Sequence, residues 1–298
     1  MQQTTKLGAS LIILLIVNGI RLYQYVTEPH TVSSVSNDIK TKLSSRAIEQ
    51  NAIIMGFNTD LPKFRSFIPI KANVKHDLGG YYQGDGSITI ALIGNSYARS
   101  IMYVLKLILG KSFNKIRAFS NFYCNMTLHA DDMDCNDYVR NMILELNELR
   151  PDIIFIEIVN ADVLQTLIDM LITITKRIII EYPIANRKYG TFNITSRIMR
   201  SLIKHEPLES MDIEYLDYYS YYKYAISIFD SVRCYKCDRI YLYKLFCNSK
   251  ICRTYDRKTL TSYFDANIHL HRYTLNALQN FYRKVLNELY AKGYISHF

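Results

Sequence analysis

Read for its apolar positions, the chain is organised around Ser87–Gly110, SITIALIGNSYARSIMYVLKLILG. Ile88, Ile90, Leu92 and Ile93 form a β-favouring run that stops at Gly94, and Ile101, Val104, Leu105 and Ile108 then recur at helical spacing. The pattern predicts a buried strand over 87–93, a tight turn, and a helix over 96–109. A glycine in such a turn admits a sharp backbone, and Ser96 falls at the helix N-terminus beside N–H groups that the helix leaves unpaired. A serine so placed either caps the helix or presents a hydroxyl at the positive end of the helix dipole, where it can serve as a nucleophile.

The alternation continues downstream. A β-like run at Lys115–Phe119 leads into the cysteine-bearing loop SNFYCNMTLHADDMDC and a helix near Asp137–Leu149, after which Pro151 and Asp152 open the strand Ile153–Val159. A helix over 161–174, a buried strand over Arg177–Pro183 and a helix near Ile194–Lys204 come next. Strands alternating with helices imply βαβ units: a parallel sheet with helices on both faces. Such sheets bind ligands at the carboxyl ends of their strands, which is where Ser96 lies. The tyrosine-rich segment Asp212–Val232 predicts a helix crossing back over the sheet, amphipathic, with phenol oxygens reaching water. Arg239–Tyr243 reads as a final strand and Tyr273–Tyr290 as a long closing helix.

Upstream, Lys6 precedes the apolar run Leu7–Val17, long enough for a signal h-region and bordering on a spanning helix once NGIRLYQYV is included. No small-x-small cleavage site comes after it, so residues 1–30 read as a membrane anchor or signal anchor. Residues 31–50 are polar with loose helical periodicity and 51–86 mix short apolar runs with Pro62, Pro69 and glycines, so 31–84 read as a linker and irregular lead-in and 85–298 as the folded domain, with the glycine-rich GGYYQGDGS (79–87) a plain loop. That glycine-rich stretch precedes its strand and lacks the Lys-Ser/Thr of a phosphate loop.

Composition narrows the class. With 298 residues, 49% hydrophobic and 21% charged, the chain suits one large globular domain with appendages and not a disordered protein. The formal charge of +9 is spread among acidic residues instead of forming a stripe, which argues against a nucleic-acid partner and is compatible with anionic lipid or acidic glycan. Cys124 and Cys135 lie close together, and Cys234, Cys237, Cys247 and Cys252 form a C-x2-C-x9-C-x4-C cluster compatible with disulfides or with a small zinc site. The sequons at Asn125 and Asn193, together with the N-terminal apolar segment, point to the secretory lumen and so to disulfides and glycosylation over zinc.

A serine nucleophile needs a base, a group that orients the base, and donors for the oxyanion. His269 lies in a loop just before the last helix, with Asp265 four residues earlier. GNS after the first strand, then FCNSKICRTYD, then YFDANIHL before a terminal helix resemble, in that order, the SGNH hydrolases. More narrowly, they resemble the lumenal SGNH domain that follows the membrane part of animal (nematode-type) acyltransferase-3 family proteins. The resemblance covers roughly residues 85–292 and implies a three-layer α/β/α sandwich with a mostly parallel, flavodoxin-like sheet. It implies Ser96 as nucleophile, His269 as base and Asp265 as orienting carboxylate, spaced Asp-x-x-x-His where the family has Asp-x-x-His. The Ser96 N–H and Asn160 match the oxyanion donors, and Ser120 or Asn121 stands where the family has a second-block glycine. The activity implied is ester hydrolysis or O-acyl (chiefly acetyl) transfer at a glycan or lipid hydroxyl through an acyl-serine, with no metal or tightly bound cofactor. The partners implied are an acyl donor, a glycan or lipid acceptor and a membrane acyltransferase domain, with the SGNH domain lumenal or extracellular. The alternatives are a catalytically weak SGNH-like ligand-binding domain supporting such an acyltransferase, and a zinc-bearing intracellular interaction module built on the cysteine cluster.

Overall fold

The computed structural model describes residues 37–56, 68–69, 79–120, 133–157, 163–184, 194–265 and 269–298. The chain divides into two compact units, Met1–Leu43 and Ser44–Phe298. The described part of the first is the beginning of helix α1 (Asn37–Gly56). The sheet and its remaining helices belong to the second.

Nine strands are described: β1 (Ile68–Pro69), β2 (Gly80–Gln83), β3 (Ile88–Gly94), β4 (Phe113–Ser120), β5 (Ile153–Glu157), β6 (Arg177–Glu181), β7 (Ile213–Glu214), β8 (Cys237–Ile240) and β9 (Ile251–Cys252). Seven form one sheet in the order β1-β2-β4-β3-β5-β6-β8, and β7 and β9 form a separate antiparallel ribbon. The strands from β4 to β8 pair in parallel, while β1 and β2 run antiparallel at one side. From β3 the chain steps outward to β4 and then returns past β3 to β5. That reversal makes the carboxyl end of β3 the switch point of the sheet, the place where open α/β sheets leave a crevice for ligands.

The helices are α2 (Ser96–Leu109), α3 (Met133–Leu149), α4 (Leu164–Leu171), α5 (Ile194–Ile203), α6 (Tyr215–Ser231) and α7 (Arg272–Ala291). The two-residue period of β3 sends Ile88, Ile90 and Leu92 into a core shared with α2, α5 and α7, and Ala91 and Ile93 into a second core with α3 and α4. The result is a mixed, mostly parallel sheet with helices on both faces. Helix α6 behaves as its pattern predicts: Tyr218 and Phe229 are buried while Tyr219, Tyr221 and Tyr224 are exposed. The Tyr218 hydroxyl donates to the Pro183 carbonyl at 2.8 Å.

Three expectations are corrected. The lead-in over 31–84 contains a 20-residue helix, α1, whose inward positions Ala47, Asn51 and Ile54 follow helical spacing but include a polar residue that breaks the apolar stripe. The GGYYQGDGS segment is a loop only from Gly84, because Gly80–Gln83 pairs with Lys115–Ala118 as β2. The expected strand Arg239–Tyr243 ends at Ile240, since its partner β6 ends there in register (Ile240 opposite Glu181), and Leu242–Leu245 turns as a 3₁₀ helix.

The zinc alternative is overturned by pairing. Cys234 is bonded to Cys237 and Cys247 to Cys252, and among the described residues no cluster of ligating side chains could hold a metal. Cys135 is also disulfide-bonded, whereas Cys124 lies outside the described residues. The anchor expected over 1–30 likewise lies outside them; among the described residues no helix is long and apolar enough to cross a membrane. At the far side of the sheet, Arg177 forms a bidentate pair with Asp238 (2.7 and 3.0 Å), and Lys236 Nζ donates to the carbonyls of Ile172 and Thr175 at 2.7 and 3.0 Å.

The sheet also buries a carboxyl completely. Glu181, at the end of β6, accepts a hydrogen bond from the Tyr282 hydroxyl of α7, and burial pushes its pKa up from 4.5 to about 7 against that bond. Between those two values the unfolded chain binds fewer protons than the folded one, so stability falls as pH rises through the window and is level above it. The loss is on the order of 3 kcal/mol, and Glu181→Gln is expected to flatten the slope in urea titrations run from about pH 5 to about pH 8.

Candidate active site

The carboxyl end of β3 is held by close contact between backbones. A Cβ on Gly94 would stand 2.4 Å from the Glu157 carbonyl oxygen of β5, so only glycine lets the two strands approach in this register. This corrects the expected reason for the glycine: among the described residues the glycines with positive φ are Gly110 and Gly293, and Gly94 serves close approach.

The next residue, not Ser96, supplies the cap. Asn95 is the N-cap of α2, with extended backbone (φ −102°, ψ −152°), and its Oδ1 accepts the Tyr97 N–H at 2.8 Å. The Asn95 carbonyl accepts the Ala98 N–H at 3.1 Å and the Ser120 hydroxyl at 2.9 Å. Ser120 ends β4 opposite Gly94, and its hydroxyl is spent on fixing this turn. With the cap supplied by Asn95, Ser96 is the first helical residue, half-buried, its hydroxyl turned to other use. Its amide is the first-turn donor that Asn95 does not occupy.

The Ser96 hydroxyl meets His269. Oγ lies 2.8 Å from His269 Nε2, across a sequence separation of 173 residues. The imidazole packs beside the Tyr97 ring, centroids 5.8 Å apart. It reaches this place because Asp265 and His269 close a small loop: Phe264 and Leu270 bridge as antiparallel partners, and the Asp265 N–H donates to the His269 carbonyl at 2.8 Å. The Asp265 carboxylate is buried, and its Oδ1 accepts the His269 backbone N–H at 2.9 Å. Its Oδ2 stands 3.7 Å from Nδ1, an ion-pair distance longer than a hydrogen bond. One oxygen thus fixes the loop and the other faces the ring. Four-residue spacing is accommodated by this backbone pairing.

His271, two residues on, does different work: it caps α7, its ring nitrogen accepting the Tyr273 N–H at 3.3 Å. Arg99, one turn along α2 from Ser96, is a half-buried guanidinium whose pKa burial draws down, with the Tyr82 phenol opposing. Asn160, Asn121, Asn125 and Asn193 lie outside the described residues. Asn95 and Ser120 are the contributors to this turn that sequence reading missed as such. Adjacent Asn and Ser are both good caps, so only the geometry decides between them.

A strand-turn-helix serine at the switch point of the sheet, in contact with a histidine from the last loop, is the arrangement that general-base activation of a hydroxyl requires. A family model for the SGNH domain (fused to AT3 domains) matches residues 71–284. The chain belongs to this SGNH family. Among solved structures, this SGNH chain is similar to the periplasmic domain of a lipopolysaccharide acetyltransferase from Salmonella ser. Paratyphi A, at 17% identity and a TM-score of 0.47, over 68% of this chain and 85% of that one. No curated protein matches significantly.

The contact at Gly94 makes a direct test. Gly94→Ala is expected to destabilise the domain by about 1–3 kcal/mol through overpacking against Glu157, measured as a lowered midpoint in chemical denaturation.

Proposed function

We propose that this SGNH domain is an O-acyltransferase or esterase that works on esters of glycan or lipid hydroxyls through an acyl-serine. The observation that carries this reading is the 2.8 Å contact between Ser96 Oγ and His269 Nε2 at the carboxyl end of β3. In the first step, Ser96 Oγ attacks the ester carbonyl carbon while its proton passes to Nε2. The carbonyl oxygen takes the negative charge, and the Ser96 N–H at the start of α2 donates to it, aided by the helix dipole. Asn160 is the second proposed donor. The C–O bond to the leaving alcohol then breaks, and that oxygen takes the proton back from His269. In the second step, water or an acceptor hydroxyl gives its proton to His269 and attacks the acyl carbonyl; the bond to Ser96 Oγ then breaks, Oγ takes the proton from His269, and the acyl group leaves as the acid or as the transferred ester. Asp265 holds the ring and favours its charged form during each transfer. None of these steps needs a metal or tightly bound cofactor.

The disulfides fit an oxidising compartment, which supports a domain in the secretory lumen or outside the cell. Membrane attachment through residues 1–30 and action beside a membrane acyltransferase domain belong to the same proposal. Nucleic acid has no part in it. A second reading, a catalytically weak domain that binds acylated ligands, is favoured by the 3.7 Å separation between Asp265 Oδ2 and His269 Nδ1.

Labelling of the intact chain with a fluorophosphonate probe separates the two. The enzyme reading expects labelling that Ser96→Ala abolishes and that His269→Ala slows by roughly a hundredfold or more, with Asp265→Asn slowing it less than His269→Ala. Absence of Ser96-dependent labelling in a folded chain overturns the enzyme reading.

A further inference from the structure

The loop that carries Asp265 and His269 is secured from behind by polar side chains that the chemistry does not use. Asn51 of α1 is fully buried, and its amide spans the strand-like segment leading to Asp265. Asn51 Oδ1 accepts the Ser262 N–H at 2.9 Å, and Nδ2 donates to the Leu260 carbonyl at 3.0 Å and to the Ala47 carbonyl of its own helix at 2.8 Å. Leu260 has φ of 56°, a left-handed conformation that an L side chain adopts only under constraint. Asn51 grips the chain at that strained residue and two residues beyond it.

A second grip lies closer to the site. Thr195, in the first turn of α5, is fully buried and donates from Oγ1 to the Phe264 carbonyl at 2.7 Å, with Ser262 Oγ 3.0 Å away. Ser262 Oγ in turn accepts the Phe264 N–H at 3.1 Å. Phe264 is the residue before Asp265 and one half of the bridge to Leu270 that closes the loop. The connected sequence runs from Asn51 to Ser262, from Ser262 and Thr195 to Phe264, and from there to the carboxylate and the imidazole. A buried polar chain of this kind is worthwhile only when fully satisfied, and it then fixes one geometry among several that apolar packing would tolerate.

We propose that Asn51 and Thr195 are positioning residues for the Asp265–His269 loop, holding it where the imidazole meets Ser96. The proposal rests on the acyl-serine reading for its catalytic meaning. It assigns a role to α1, which lies before the matched span of 71–284. It also assigns Thr195, the third residue of a sequon, a buried structural hydrogen bond.

The test uses the full chain, with Thr195→Val and Asn51→Leu removing the hydrogen bonds at similar volume and Thr195→Ser retaining the hydroxyl. Two readouts are taken: the second-order rate of fluorophosphonate labelling at Ser96, and amide hydrogen exchange in peptides covering 254–271 against those covering β3 and β5. Thr195→Val and Asn51→Leu are expected to slow labelling by roughly tenfold to a hundredfold, since displacement of a catalytic group by about 1 Å has that consequence. Faster exchange should be confined to the loop peptides, and Thr195→Ser should restore both readouts to near the parent values. Unchanged labelling in a folded Thr195→Val chain overturns the proposal. So does faster exchange spread evenly over β3, β5 and the loop, which is the mark of general destabilisation. Should either variant fail to fold, Ser262→Ala, which removes one hydroxyl from the same chain, takes its place with the same two outcomes. If the parent chain shows no Ser96-dependent labelling, the acyl-serine reading fails, and the exchange comparison alone decides whether Asn51 and Thr195 position the loop.

Discussion

The contact of Gly94 with the Glu157 carbonyl is the constraint from which the site is built. Because β3 and β5 lie this close at their carboxyl ends, the chain leaving β3 has one path into α2. Asn95 and Ser120 then fix that path by hydrogen bonds to backbone instead of by packing. Ser96 is consequently placed by rigid elements on one side: a strand, a cap and a buried helix. His269 is placed by a loop on the other. The asymmetry matters for chemistry, since a reacting hydroxyl on a frame needs its base brought to it with sub-ångström consistency, and a loop achieves that only when its own polar groups are satisfied. Backbone pairing from Phe264 to Leu270 and the hydrogen bond from the His269 N–H to Asp265 Oδ1 meet that need for the backbone.

How much of this the amino-acid sequence discloses depends on the surface each element buries. Strands β3, β5 and β6 bury both faces and so read as continuous apolar runs; α2 has a wide apolar face, and its expected bounds of 96–109 agree with the observed helix. The identity of Ser96 and His269 as neighbours is not contained in any local pattern, and it comes from the order of short motifs shared with a family. Helix α1 shows only as loose periodicity over 31–50 because its buried positions include Asn51, which a hydropathy reading assigns to solvent although its amide is paired inside. Strand β2 is hidden because Gly80, Tyr81 and Tyr82 look like a loop until β4 supplies partners. The Asn95–Ser96 ambiguity is of a third kind: two residues of equal capping propensity, decided by which side chain reaches the Tyr97 amide.

Buried polarity recurs through this domain in two forms. Around the loop it is neutral and matched donor to acceptor, which fixes geometry without a pH response. At Glu181 it is titratable, a carboxyl that burial in the sheet shifts toward its uncharged form against the hydrogen bond from the Tyr282 phenol. The first form confers definition and the second makes the same core sensitive to proton activity.

Strand β8, at the far side of the described sheet, carries a further consequence. It is four residues long, preceded by the Cys234–Cys237 bond, and flanked by charges that it does not leave exposed to chance: Asp238 is clasped by Arg177, and Lys236 reaches back to two carbonyls. A short, charged and covalently tightened margin offers little template for another chain to extend the sheet. Side-by-side assembly of copies is thereby discouraged at the margin nearest β6.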